Sequence, residues 1–136
     1  MPFACSVGDS FLKVDFGDRH RYIVITKPNK DSKVVLVNFT KATPYKECVV
    51  TFEPKENEEL FREATTVPYD YADLFSVSKV NKWGNNDYKR CGAYIVDKIV
   101  KGAFLSEFPS QDVLDELKEQ YPVEYEKYHP KNIGDD

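Results

Sequence analysis

Three side chains that can take part in phosphate chemistry lie at the ends of two neighbouring β-type segments. His20 and Arg21 directly precede the run YIVIT, and Thr40 directly follows the run VVLVNF. An imidazole exchanges a proton near neutral pH, and a guanidinium offers a planar fork that suits phosphate oxygens. A hydroxyl can orient the same oxygens by hydrogen bonding, and the ammonium of the next residue, Lys41, can neutralise their charge. Metal-free cleavage of RNA needs such groups: a base for the 2′-hydroxyl, a donor for the leaving oxygen and a cation for the phosphorane.

The two segments are predicted to pair as a hairpin. Both are β-branched and aromatic runs of strand length, and the seven residues between them, KPNKDSK, are of the types that turns need. In one register His20 lies opposite Thr40, with Cβ atoms about 4.5–5.5 Å apart. A slip of one residue places Arg21 opposite Thr40 and turns the face over. Both registers remain open, and either brings the three side chains to one end of the hairpin.

The segment before the hairpin is predicted to be a further strand. Residues 10–16 alternate between apolar and polar side chains, with Leu12, Val14 and Phe16 on the face that turns towards the core. A tight connection at residues 17–19 then leads into the hairpin. Three strands so closely linked predict an antiparallel meander that bends into a small barrel.

The remainder of the chain is predicted to alternate between strands and helices. In order, the predictions are a strand over 47–52, one or two helical turns within 53–64, a strand within 65–80 and a polar loop over 81–90. Residues 92–105 fit a buried strand and a helical face equally well, with Gly102 as the stop of a helix. A helix begins after Ser110 as its N-cap and ends at Pro122. One domain is expected over 1–121, followed by a polar, loosely ordered tail over 122–136.

Aromatic side chains in the middle of the chain have two interpretations. Tyr69, Tyr71 and Phe75 can stack on the bases of single-stranded nucleic acid, or they can fill the core, which is the commoner role of strand aromatics. Trp83, the one tryptophan, falls in the predicted polar loop. If it is exposed there, it marks a contact surface.

The bulk composition is that of a globular domain. The chain has 136 residues, of which 41% are hydrophobic and 31% are charged, which suffices for one domain with its own core. No apolar run reaches the roughly 18 residues that a membrane span needs. The start, MPFACSVGDSF, lacks the basic and apolar segments of a secretion signal. A cytoplasmic protein without membrane contact is expected.

The cysteines do not suggest a metal site. Cys5, Cys48 and Cys91 are odd in number and far apart, which fits neither a disulfide framework nor a CxxC metal site. Thiols in a reducing compartment, no metal and no cofactor are therefore expected.

Charge is divided unevenly between the two parts of the chain. The net charge is −4, but residues 1–46 carry eight Lys and Arg against four Asp and Glu, whereas residues 47–136 carry eleven against nineteen. An acidic chain is not typical of a general nucleic-acid binder, yet a local basic surface at the hairpin can receive phosphates. Arg19, Lys41 and Lys46 are the candidates for RNA contacts there. The alternative is that the lysines are only solvated.

The order of these segments resembles a known family. The pattern GDSFLKVDF, followed by HRYIVIT and then VVLVNFT, is similar to the start of the MazF/PemK-like toxins of bacterial toxin–antitoxin systems. The likeness is strongest over residues 8–40, and it partly returns where KGAFLS leads into SQDVLDEL. Two positions differ from the family pattern: Tyr22 stands where the family usually has Pro, and Lys41 where it often has a second Thr or Ser.

The resemblance implies both a fold and an activity. The fold would be mainly β within the α+β class, a small SH3-like antiparallel β-barrel with a C-terminal helix. The activity would be metal-independent cleavage of single-stranded RNA by a homodimer, with an antitoxin protein as partner. Arg21 and Thr40 match the family's catalytic positions, and His20 matches the histidine that often precedes the arginine. The alternative is a non-catalytic SH3-like barrel that acts as a protein- or RNA-binding module. In the structural alternative for the three residues, His20 caps a loop, Arg21 pairs with Asp18 or another carboxylate, and Thr40 only ends a strand.

Overall fold

The computed structural model shows an α+β fold. It describes residues 3–15, 17–44, 47 and 49–128. The strands are β1 (Asp9–Asp15), β2 (Asp18–Val24), β3 (Lys33–Asn38), β4 (Thr40–Lys41), β5 (Thr51–Phe52), β6 (Thr65–Thr66), β7 (Asp73–Ser76) and β8 (Lys89–Arg90). The helices are α1 (Val77–Trp83), α2 (Ala93–Leu105), α3 (Gln111–Gln120) and α4 (Pro122–Tyr128), with short 3₁₀ turns at Pro54–Glu56 and Tyr69–Tyr71.

The strands form two antiparallel sheets. The larger sheet has the order β7-β3-β2-β1-β8, and the smaller has the order β4-β6-β5. The predicted hairpin is confirmed as β2 and β3. Its register pairs Tyr22 with Asn38, which is the alternative that continues to His20 opposite Thr40. The pairing ends at Asn38, however, because Thr40 pairs with Thr66 in the smaller sheet.

The expected closed barrel is not what these strands form. Within the described ranges the larger sheet ends at β7 and β8 and the smaller at β4 and β5, so neither closes on itself. The chain ends its pairing with β2 after β3 and enters the smaller sheet at Thr40. Helices α2, α3 and α4 cover the face of the larger sheet that a closed barrel would turn inwards. The fold is therefore two open antiparallel sheets with helices packed against them.

Both faces of the larger sheet are covered by hydrophobic clusters. On one face Ile23, Val35 and Val37 pack with residues of α2, α3 and α4 in the larger core. On the other face Val24 and Leu36 belong to a smaller core that includes α1. Because each face has its own cover, β3 is buried at every position after its first, and its sequence is continuously apolar up to Asn38.

The first strand does not follow the predicted alternation between a core face and a solvent face. Phe11 is fully buried in the smaller core, whereas Val14 is 60% exposed. Phe16, predicted to share the buried face, lies outside the described residues. Ser10 is also fully buried, so polar side chains occupy positions that simple alternation assigns to apolar ones.

The middle of the chain contains more helix than predicted. Residues 65–80 contain the predicted strand, β7, together with β6, a 3₁₀ turn and the start of α1, and α1 continues into the predicted polar loop. Trp83 is half-buried and lies 6.3 Å from Phe11 and 6.0 Å from Phe75, measured between ring centroids. Tyr69 is buried in the larger core, and Tyr71 is 70% exposed. Trp83 is thus part of a core rather than of an exposed loop.

The last third of the described chain is helical. Residues 92–105 form α2, and Gly102 is buried inside this helix rather than ending it. The N-cap prediction for α3 is confirmed, because the Ser110 hydroxyl accepts a hydrogen bond from the Val113 amide. Residues 122–128 are not a loose tail: they form α4, whose Tyr125 packs against Phe104. No helix in the described ranges is long and apolar enough to cross a membrane.

Candidate functional site

The guanidinium of Arg21 lies in a polar cluster beside β1. Its side chain is only 10% exposed. Nη1 donates to the Ser10 hydroxyl at 3.0 Å and to the main-chain oxygen of Asp87 at 2.9 Å. Nη2 forms a short ion pair with the Asp87 carboxylate. Arg21 therefore has acceptors of its own on the side of the fork that a phosphate would approach.

The loop between α1 and β8 brings Asp87 to this position. The Leu12 amide donates to the Asn86 carbonyl at 2.9 Å, and the Asn86 side-chain amide donates to the Leu12 carbonyl at 2.8 Å. These two bonds hold the loop along the edge of β1. Asp87 itself has φ +50°, a left-handed conformation that Asp and Asn adopt more easily than most residues.

A buried hydroxyl and a buried thiol adjoin Arg21. Ser10 donates from its hydroxyl to the Lys89 carbonyl at 2.7 Å while it accepts from Arg21. Burial raises the pKa of the Cys91 thiol, although the Ser10 hydrogen bond and the positive charge of Arg21 act against this. The raised pKa keeps Cys91 protonated at neutral pH, which makes it a poor nucleophile.

The structure separates His20 from Arg21. Neighbouring residues of a strand point to opposite faces of the sheet. Arg21 shares its face with Ile23 of the larger core, whereas half-buried His20 shares the other face with Tyr22, which packs on the smaller core. His20 pairs with Lys13 of β1. The imidazole and the guanidinium are therefore not gathered on one face.

Thr40 remains close to Arg21 along the backbone. The Phe39 amide donates to the Arg21 carbonyl at 3.0 Å, so Thr40 directly follows the residue bonded to Arg21. Thr40 is half-buried and begins β4 in the smaller sheet. The change of sheet at this point places Arg21 and Thr40 at the junction of the two sheets.

The three proposed RNA-binding residues have different surroundings. Arg19 is exposed, and alternation along β2 places it on the same face as Arg21. Lys41 is exposed and forms an ion pair with Glu63 at 3.8 Å. The acidic segment 53–64 therefore reaches β4, the strand that begins at Thr40. Lys46 lies outside the described residues.

Two further groups were missed by sequence reasoning. Lys13 places its ammonium 4.9 Å from the Trp83 ring centroid, a contact between residues too far apart in sequence to be anticipated. Asp9 is 2% exposed, although a carboxylate at the start of a strand is ordinarily expected at the surface. The only local sign that Asp9 accepts several hydrogen bonds is its place in the pattern Gly-Asp-Ser at the start of a strand.

Asp9 joins the first described residues to β8. Its carboxylate accepts hydrogen bonds from the amides of Ala4 and Ser6, each at 3.0 Å, and from the Tyr88 hydroxyl and Arg90 Nη1, each at 2.9 Å. Burial acts to raise the pKa of the Asp9 carboxyl, but the hydrogen bonds outweigh burial and the pKa lies below its ordinary value. Asp9 is therefore ionised and structural.

The surface of the described residues has a groove of mixed charge but no cluster of metal ligands. In the described part of the chain no three His, Cys, Asp or Glu side chains cluster as metal ligands would. A groove of about 630 Å³ runs between the hairpin loop and α3. Its lining combines basic and acidic side chains, among them Lys27, Lys30, Glu116 and Glu119.

Comparison with known proteins adds no assignment to these features. No family model, no curated protein and no solved structure matches the chain. The residues and contacts described above are therefore the basis for a functional proposal.

Proposed function

We propose that the protein is a metal-independent endoribonuclease that cleaves single-stranded RNA, with Arg21 and Thr40 as its catalytic residues. The observation that carries the proposal is the 3.0 Å hydrogen bond from the Phe39 amide to the Arg21 carbonyl. It keeps Arg21 beside the residue that precedes Thr40. A cation and a hydroxyl at one junction are two of the groups that phosphodiester cleavage without a metal uses.

Each residue has a role in the proposed reaction. Arg21 stabilises the charge on the phosphorane through its fork, and Thr40 orients a phosphate oxygen. His20 is the proposed base that takes the proton of the 2′-hydroxyl and returns a proton to the leaving 5′ oxygen. Because it lies on the other face of β2, its contribution is measured with its own variant. Exposed Arg19 and Lys41 contact flanking phosphates, as does Lys46.

The finer parts of the proposal come from the family resemblance. They are an SH3-like arrangement of the strands, assembly as a homodimer, an antitoxin protein as partner and a cytoplasmic location. Strands β1, β2 and β3 form an antiparallel meander, which supports an SH3-like arrangement.

A second candidate function is a non-catalytic module that binds RNA or a protein. Two observations favour it. The Arg21 guanidinium is occupied by Asp87, and His20 and Arg21 lie on opposite faces of β2. A module of this kind has no need of an accessible guanidinium, whereas a ribonuclease must expose it to substrate.

One experiment separates the two candidates. The wild type and the variants Arg21→Ala, Thr40→Val and His20→Gln are incubated in EDTA with a mixed-sequence single-stranded RNA, and the fragment ends are determined. Arg62→Ala is the matched control, because Arg62 is exposed and lies outside the proposed site. We expect discrete fragments ending in cyclic or 3′ phosphate, and a loss of about 100-fold or more in rate for Arg21→Ala.

The other outcomes are equally informative. Intact RNA with every variant, accompanied by a mobility shift of the RNA, would contradict the ribonuclease and support the binding module. Equal cleavage by Arg21→Ala and the wild type would remove Arg21 from the reaction. Circular dichroism of each variant establishes that it is folded before its activity is compared.

A further inference from the structure

We infer that the Arg21 guanidinium, held in place by Ser10, is a covered binding site for a phosphate group, and that the Asp87 carboxylate fills this site in the conformation described. The inference rests on the proposed function in taking RNA phosphate as the natural occupant. It adds a competitor that belongs to the chain itself, so that phosphate must displace Asp87 to reach the guanidinium.

The geometry of the ion pair supports a shared site. A carboxylate and a phosphate present similar pairs of oxygens to the fork of an arginine. Asp87 uses its main-chain oxygen for Nη1 and its carboxylate for Nη2, so one residue occupies both arms. The Ser10 hydroxyl accepts from the same Nη1 at 3.0 Å and donates to the Lys89 carbonyl, so it holds the guanidinium in place. The Asp87 carboxylate therefore stands where a phosphate would bind.

The two partners of the ion pair differ in how firmly they are held. The Arg21 side chain is 10% exposed and its Nη1 is also bonded to Ser10. The Asp87 side chain is 48% exposed, so it can exchange the ion pair for water. The bonds between Asn86 and Leu12 hold the loop independently of this carboxylate. A rotation of the Asp87 side chain is thus enough to vacate Nη2, while Nη1 keeps its bonds to Ser10 and to the main-chain oxygen of Asp87.

The backbone of Asp87 also suits a residue that acts as a cover. Its φ of +50° lies in the left-handed region, which most residues avoid and which Asn and Gly accept. Asp87→Asn is therefore a substitution that removes the negative charge while it keeps the backbone conformation and the side-chain shape. Asp87→Gly keeps the backbone conformation and removes the side chain entirely.

Occupation by Asp87 lowers the apparent affinity for phosphate. A ligand that binds only the uncovered state has its apparent affinity reduced by the fraction of molecules in that state. If the carboxylate fills the site in nine molecules of ten, its removal raises the affinity about tenfold. Removal of a negative charge beside Arg21 acts in the same direction.

The test uses inorganic phosphate as the probe and the full chain as the protein. Phosphate is titrated into the wild type, Asp87→Asn and Asp87→Gly in buffer with EDTA, and the Nε–H resonance of Arg21 is followed by NMR. Asp70→Asn is the matched control, because Asp70 is an exposed carboxylate in the 3₁₀ turn at Tyr69–Tyr71. We expect about tenfold or greater tightening with both Asp87 variants and none with the control.

The outcomes separate this inference from the ribonuclease proposal. Equal or weaker phosphate binding by folded Asp87→Asn or Asp87→Gly would overturn the inference, because Asp87 would then only position Arg21. Tighter phosphate binding without any RNA cleavage would support the covered site and contradict the ribonuclease. If RNA cleavage depends on Arg21 but neither Asp87 variant binds phosphate more tightly, the covered site is overturned and the ribonuclease proposal stands.

Discussion

Glu56 anchors the acidic segment of the chain to α2, and its removal offers a sharp test of the structure. Its carboxylate accepts hydrogen bonds from the Glu53 amide at 2.6 Å, from the Tyr94 hydroxyl at 2.9 Å and from Lys98 Nζ at 3.0 Å. Lys98 Nζ also donates to the Thr51 carbonyl at 2.6 Å. One carboxylate thus ties the 3₁₀ turn after β5 to the helix.

These contacts set the size of the expected effect. The amide of Glu53 and the ammonium of Lys98 lower the pKa of Glu56 from its ordinary 4.5 to about 2. Such a shift corresponds to about 3 kcal/mol of native-state stabilisation at neutral pH if the unfolded chain titrates normally. The Glu56 side chain is 16% exposed, and water and salt weaken the contacts, so we expect about 1–2 kcal/mol.

The pH range follows from the sign of the shift. A carboxyl whose pKa is lower in the folded state binds fewer protons there than in the unfolded state. Its contribution to the free energy of unfolding is complete above the ordinary pKa of 4.5 and is lost as the pH falls towards about 2. The stabilisation by Glu56 should therefore disappear between these two values.

Urea denaturation of Glu56→Gln across this range measures the contribution. At pH 7 the variant should lose about 1–2 kcal/mol of unfolding free energy, because glutamine keeps the shape but not the charge. Near pH 2 it should be as stable as the wild type. Glu58→Gln is the control: it removes an exposed carboxylate two residues away and should change the unfolding free energy by less than about 0.5 kcal/mol.

Two results would refute this reasoning. If Glu56→Gln is as stable as the wild type at pH 7, the hydrogen bonds to Glu56 contribute nothing in solution. If its deficit is the same at pH 2 as at pH 7, the loss comes from packing rather than from the charge. Either result would show that the lowered pKa of Glu56 does not contribute to the free energy of unfolding.

Two other substitutions test the packing and the buried charge. Alanine normally stabilises a helix interior by about 1 kcal/mol relative to glycine, but a Cβ at Gly102 would lie 2.3 Å from Tyr69 Oη and 2.5 Å from Val50 Cγ1. Gly102→Ala should therefore lower the free energy of unfolding in urea by about 2 kcal/mol, and a stabilised variant would contradict the helix packing. Asp9→Asn weakens the hydrogen bonds that the buried carboxylate accepts from the Ala4 and Ser6 amides and from Tyr88, and it should cost about 2 kcal/mol; an unchanged melting temperature would show that Asp9 is not the anchor of the first residues.

The features predicted correctly from the sequence depend on residues close together in the chain. The hairpin of β2 and β3 follows from two β-branched runs around a polar loop, and α3 follows from Ser110 and the apolar spacing after it. In both cases the residues that decide the structure lie within a few positions of one another. Local sequence therefore carries the necessary information.

The features missed depend on distant parts of the chain. Val14 was assigned to the core by alternation, but Phe11 is buried instead because α1, more than sixty residues later, supplies the cover for that face. The departure of Thr40 into the smaller sheet depends on Thr66. No pattern within residues 10–40 contains this information, so the barrel was predicted in place of two open sheets.

The candidate site shows the same division. Side-chain chemistry identified His20, Arg21 and Thr40, and the hairpin register places Thr40 near the strand end that carries the other two. The strand alternation that separates His20 from Arg21 follows from their being neighbours. The contact between Arg21 and Asp87 spans 66 positions, and nothing in the sequence links the two.

The position of the single tryptophan has a consequence for how unfolding is observed. Trp83 packs against Phe11 and Phe75 on the α1 side of the larger sheet, whereas α2, α3 and α4 cover the opposite side. Intrinsic fluorescence therefore reports on one side of the sheet, and far-ultraviolet dichroism is dominated by helices on the other. If the two transitions occur at different urea concentrations, the α1 side opens separately, and fluorescence alone would misstate the stability of the whole domain.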